Sequence, residues 1–118
     1  MKNVIIEMQR IYNTYEKDWM GFKIGKYNFL TFHHIIKKEH GGIEGMYNGA
    51  LLGNKSHQIL NMIEIADINL YQKWNELFKK INDERGPISA SNWKAIYNLK
   101  KQTVLLNKEN NNKRTRKK

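Results

Sequence analysis

Tyr27-Asn-Phe-Leu-Thr-Phe-His-His-Ile-Ile36, followed by KKEHGGIEG (37–45), MYNGALL (46–52) and GNKSHQIL (53–60), decides how this chain folds. Residues 27–36 are aromatic and β-branched with partial alternation, which reads as a strand. The polar run 37–45 is a loop, with Gly41 and Gly42 as turn residues rather than a phosphate cradle. Met46 to Leu52 is a short apolar run suited to the returning strand of a hairpin. Gly53-Asn54 makes a turn, and Ser56 is placed to cap a helix.

All four histidines fall on this frame, His40 in its loop and the other three on its strand and helix. His33 and His34 stand near the end of the first strand, where successive side chains point to opposite faces unless a bulge or the strand's end relaxes the rule. His57 lies in the first turn of the following helix, and Asn61 is one turn further on the same face. A strand end and a helix start can together offer nitrogen and oxygen ligands to one divalent ion and leave positions open for substrate and water.

Outward from the frame, Val4, Met8, Ile11, Tyr12, Tyr15 and Trp19 recur at helical spacing and predict an amphipathic helix over residues 3–18. Gly21 and Gly25 bracket a break after it. On the other side, Leu60, Ile63, Leu70, Trp74, Leu77 and Ile81 keep a helical period from Ser56 to Ile81. Asp67 is placed to cap a second helix, with a bend at residues 66–68. Gly86-Pro87 ends this run. Ser91 opens a last helix that buries Trp93, Ile96, Tyr97 and Leu99. Tyr12, Tyr15, Trp74 and Trp93 read as core residues rather than base-stacking platforms.

The run FHHII, then GG, then NGALL, then SHQIL resembles the HNH (ββα-metal, His-Me finger) endonuclease motif, in particular the small phage and bacterial type. Fourteen residues separate His34 from Asn48 and nine separate Asn48 from His57. The resemblance covers about residues 29 to 66. It implies that His33 is a metal ligand, that His34 is the general base, and that Asn48 orients that base across the loop or, as in some members, binds the metal. It also implies that His57 is a metal ligand, and Asn61 stands where colicin-like members carry a further histidine ligand. That departure puts the site closer to the sparser forms that use Mg²⁺ or Mn²⁺, with Zn²⁺ or Ni²⁺ as alternatives. Hydrolysis of a phosphodiester to a 5′-phosphate and a 3′-hydroxyl is the reaction implied.

The reading is therefore an α+β fold with a ββα-metal core over residues 27–82, inside a single domain of residues 1–106. An N-terminal helix and C-terminal helices flank the core. Residues 107–118 form a basic, low-complexity, disordered tail. At 118 residues with 40% apolar side chains, the chain has enough for one core. The absence of cysteine excludes disulfides and Cys-based zinc ribbons. No stretch reaches the roughly 18 to 20 apolar residues that cross a bilayer, and the N-terminus does not read as a signal peptide. A cytoplasmic protein of a bacterium or a phage-infected host is expected, with no membrane partner.

The net charge is +10, and the segment from Asn107 onward carries six basic and one acidic side chain. That surplus predicts attraction to nucleic acid, with DNA ahead of RNA. Lys37 and Lys38, just past the histidine pair, and Lys113, Arg114 and Arg116 of the tail are the expected phosphate contacts. His40 is expected to face solvent and Glu64 to be a solvated helix-face carboxylate. The rival reading is an HNH-like module that binds nucleic acid, or inhibits or partners another protein, without cutting. Such a partner would also supply the specificity for which no domain is visible.

Overall fold

The computed structural model describes residues 2–43 and 45–116, with side chains as far as Asn111. Strand β1 (Leu30–His34) pairs antiparallel with β2 (Gly49–Gly53), with Leu30 opposite Gly53 and His34 opposite Gly49. The register is one to one, so no bulge interrupts the histidine pair. Helix α1 (Lys2–Tyr12) precedes the hairpin, and α2 (Asn54–Ala66), α3 (Ile68–Glu84) and α4 (Ala90–Arg116) follow it. Over the described residues the chain is thus an α+β fold of four helices and one small two-stranded sheet.

Both strands are shorter than their apolar runs because side chains replace ladder partners at the ends. Asn48 Oδ1 accepts from the Ile36 amide at 2.9 Å, and its Nδ2 donates to the Ile36 carbonyl at 2.8 Å. An amide side chain thereby stands in for the strand residue that would have paired there. Met46–Asn48 forms a 3₁₀ turn instead of strand. Asn82 Nδ2, reaching from α3, donates to the carbonyls of Met46 and Gly49 and holds that turn.

At the other end of β1, Gly25 and Asn28 exchange backbone hydrogen bonds and leave Lys26-Tyr27 as a two-residue turn. Helix α1 stops six residues earlier than its apolar spacing predicts. Asn13 adopts a left-handed conformation at φ 54°, and the Thr14 amide donates back to the Gln9 carbonyl, closing a Schellman-type end. Tyr15 is left 55% exposed, whereas Trp19 is buried within irregular chain rather than on a helix.

Helix α2 begins at Asn54, before Ser56, and Ser56 does not cap it. Gly53 occupies the cap position and has no side chain to offer. Its place is taken by Asn28, whose Oδ1 accepts from the amides of Lys55 at 3.0 Å and Ser56 at 3.3 Å. A Cβ on Gly53 would stand 2.0 Å from that oxygen, so the close approach requires glycine.

Asp18 completes the junction. It is fully buried, and it accepts from the amides of Met20, Phe22 and Gly53 at 2.9–3.0 Å. Asp67 caps α3 as expected, accepting from the Leu70 amide at 3.1 Å. The cap of α4 is Ser89 rather than Ser91, its Oγ accepting from the Asn92 amide at 3.1 Å.

The core forms where α1, α2 and α3 close on β2, with α4 packed against α3. Trp19, Trp74, Tyr12, Phe78, Met8 and Met20 are its largest buried side chains. Trp74 stacks on Phe78, and Tyr12 meets Trp19 edge to face. Trp74 Nε1 donates to Thr103 Oγ1 at 2.8 Å, which ties α4 to α3. The expectation of disorder from residue 107 onward is corrected: α4 continues to Arg116. No glycine or proline interrupts residues 90–116, and the Lys, Glu and Arg residues after 107 favour helix against the asparagines among them. Among the described residues, no helix is long and apolar enough to cross a membrane.

Candidate metal centre

The even register of β1 sends Thr31 and His33 to one face, while Phe32 and His34 point the other way. On the first face, His33 and His57 meet with ring centroids 5.3 Å apart and planes nearly perpendicular. His33 is 5% exposed, and Phe78 packs against it at 5.8 Å, so the aromatic core floors the site. His57 reaches this place because the Asp18–Asn28 junction fixes where α2 starts.

Each imidazole has one nitrogen committed to a side-chain oxygen. His33 Nε2 lies 2.8 Å from Asn75 Oδ1, contributed by α3. An amide oxygen only accepts, so Nε2 carries the proton and Nδ1 the lone pair. His57 Nδ1 lies 3.1 Å from Thr31 Oγ1. The single Thr31 hydroxyl proton is spent on the Leu52 carbonyl at 2.8 Å. Thr31 must therefore accept from His57 Nδ1–H, which leaves Nε2 of His57 as the lone-pair nitrogen.

Burial is the main force lowering the His33 pKa, to about 4, and the nearby His57 and His34 push the same way against the Asn75 hydrogen bond. Burial likewise lowers the His57 pKa, with the charge of His34 adding to it. Both rings are neutral at pH 7, the state a metal ligand requires.

His34, the last residue of β1, packs edge-on to Phe32 with centroids 4.9 Å apart. It lies across the strand from His33, yet close enough for its charge to act on both other histidines. The adjacent pair therefore does not enter one pocket side by side. Asn48 is buried beneath the loop that follows His34. Besides its two bonds to Ile36, its Nδ2 donates to the Ile43 carbonyl at 3.0 Å, so the side chain spans the loop. Gly42 passes so close that a Cβ there would meet the Ile36 carbonyl oxygen at 1.8 Å.

The remaining sequence candidates are spread around this centre. Asn61 is exposed on α2, one turn past His57. Lys37 pairs with Glu64 at 2.6 Å, an ion pair whose hydrogen bond raises the lysine pKa. Glu64 is therefore not simply solvated, and its charge also acts on His33. Lys38 and His40 are exposed in the 3₁₀ turn of residues 38–40. The side chains of Lys113, Arg114 and Arg116 lie outside the described residues. Among the described residues, no three His, Asp or Glu side chains converge closely enough to hold a metal ion.

Thr31 and Asn75 went unnoticed in the sequence. Thr31 stands two residues before His33, a spacing that places both on one strand face and carries the only available signal. Asn75 had none, because its approach depends on how α3 folds back. No protein-family model matches the chain, and neither a curated protein nor a solved structure gives a significant match.

Proposed function

We propose that this protein is a metal-dependent endonuclease of the HNH type, acting on DNA in the cytoplasm of a bacterium or phage-infected host, with RNA as the alternative substrate. The observation that carries the reading is the approach of His33 and His57, two neutral imidazoles from a strand end and a helix start. Each has its second nitrogen fixed by a side-chain oxygen, the arrangement that orients metal-ligating histidines.

The resemblance to HNH nucleases favours Mg²⁺ or Mn²⁺, whereas two imidazole nitrogens by themselves suit Zn²⁺ or Ni²⁺; the other positions of the ion would go to water and phosphate oxygens. His57 Nε2 and His33 Nδ1 would hold it, with the amide oxygen of Asn61 as a further donor. When bound, the ion supplies Lewis acidity at the phosphate and the leaving 3′ oxygen. His34 takes the proton of the attacking water as the general base. Asn48 braces the loop behind His34 and so fixes the position of that base. Lys38 and the basic end of α4 attract the polyanion, whereas Lys37 must leave Glu64 before it can meet a phosphate.

End-group analysis of cleaved duplex oligonucleotide tests the reaction. Metal-dependent products with 5′-phosphate and 3′-hydroxyl ends are expected. Products with 3′-phosphate ends, or cutting that persists in EDTA, would overturn the mechanism.

A second reading, a module that binds nucleic acid or a protein partner without cutting, draws on the exposed Asn61 and the missing third His, Asp or Glu ligand among the described residues. Retained nucleic-acid binding with no cleavage under any divalent ion is its signature.

A further inference from the structure

Away from the histidines, the most exposed large aromatic side chain of the described residues is Tyr27, at 72%. It stands at the tip of the two-residue turn closed by Gly25 and Asn28. That turn is not a loose loop. The Asn28 side chain donates to the Lys23 carbonyl at 3.0 Å and accepts from the Lys55 and Ser56 amides, so the turn is clamped to the start of α2. The exposed ring thus stands on a support that is tied to the rest of the fold.

Two ammonium groups flank the ring. Lys26 Nζ is 5.7 Å from its centroid and Lys55 Nζ, from α2, is 5.9 Å away. Among the described residues neither lysine forms an ion pair with a carboxylate. Phe29, two residues on from Tyr27, is a second exposed aromatic at 55%. The cation–π attraction of the ring offsets only part of the repulsion between these like charges, and in a chain of net charge +10 they mark a face suited to a polyanion. A polyanion that also presents flat apolar faces matches the ring and the lysines together.

We infer that the Lys26-Tyr27 turn, with Phe29 and Lys55, is a docking surface for a single nucleic-acid strand. An unpaired base stacks on Tyr27 in place of the ammonium groups that lie over the ring, and Lys26 and Lys55 swing out to the phosphates on either side. A paired duplex cannot offer a base face to this ring without being opened, so the surface favours single-stranded segments. The inference rests only on the nucleic-acid-binding part of the proposed function and not on cleavage.

Fluorescence anisotropy of a labelled oligothymidylate, compared with a labelled duplex and measured in EDTA so that nothing is cut, tests it. Tyr27→Ala is expected to weaken single-strand binding by about 5- to 100-fold with little effect on the duplex. Tyr27→Phe should bind as the wild type does. Lys26→Gln and Lys55→Gln should each reduce the salt dependence by about 0.7 in log–log slope. The side chains are exposed, so the variants are expected to fold, and circular dichroism checks that they do. Unchanged single-strand binding by Tyr27→Ala would overturn the inference, and so would an equal loss on both nucleic acids. A protein that passes this test but never cleaves would retain the docking surface and lose the nuclease reading.

Discussion

Thr31 Oγ1 stands between the Leu52 carbonyl at 2.8 Å and His57 Nδ1 at 3.1 Å, and its one proton can serve only the carbonyl. A strand residue thereby sets the tautomer of a histidine on the next helix. Thr31→Val keeps the shape and removes the acceptor. In ¹⁵N NMR, His57 should change from a nearly pure Nδ1–H form to a mixture of tautomers, and divalent-metal affinity should fall about 10-fold. Thr31→Ser should restore both. An unchanged His57 spectrum in Thr31→Val would show that the hydroxyl does not fix the ring.

Asn48 makes three hydrogen bonds to the backbone of Ile36 and Ile43. Asn48→Ala leaves these groups without their partner in a partly buried place and should cost about 1–3 kcal/mol in urea denaturation. Hydrogen exchange at the Ile36 amide should accelerate by more than the global loss of stability accounts for, because the loop opens locally.

The buried His33 makes stability depend on pH. Its folded pKa is about 4, below the ordinary 6.5, so between these values the unfolded chain holds a proton that the folded one does not. Its contribution is therefore complete above pH 6.5 and declines as pH falls towards 4. The slope is about 1.4 kcal/mol per pH unit, and from pH 7 to pH 5 the expected loss is about 2 kcal/mol. His57, lowered by burial, adds in the same direction. Urea midpoints in EDTA should show a steeper acid decline for the wild type than for His33→Asn. Equal slopes would mean that His33 is not held neutral by burial.

Asp18 and Asn28 place the start of α2, and His57 with it. Asp18→Ala removes the acceptor from three backbone amides, two of them at buried residues, and should destabilise the fold by about 3 kcal/mol or more. Asn28→Ala loses the borrowed helix cap and should cost about 1 kcal/mol. Equilibrium unfolding measures both.

Much of this framework was legible in the sequence because local patterns encode it. Alternating aromatic and β-branched residues marked β1, helical spacing marked α2 and α3, and Asp67 marked their boundary. The missed features depend on partners distant in the chain. Nothing near Gly53 indicates that Asn28 will cap α2, so Ser56 looked like the cap. The apolar spacing past Tyr12 concealed a helix end that Asn13 makes by turning left-handed. Polar tail composition suggested disorder where a run free of glycine and proline continues α4.

Within the site, spacing brought His33, Asn48 and His57 to notice. It could not reveal that the Asn48 side chain is wholly used by the loop, or that Lys37 is held by Glu64. Side-chain hydrogen bonds between separate elements leave no periodic trace in the sequence.

The most direct test of the central claim is the initial rate of supercoiled-plasmid nicking across concentrations of Mg²⁺, Mn²⁺, Ni²⁺ and Zn²⁺, for wild type, His57→Ala and His34→Ala. Metal-dependent nicking by the wild type is predicted. His57→Ala should need about 10-fold or more additional metal for half-maximal rate. His34→Ala should be slower by about 100-fold or more at saturating metal, with its half-maximal concentration nearly unchanged. A wild-type protein that leaves the plasmid intact with every one of these ions would contradict the account.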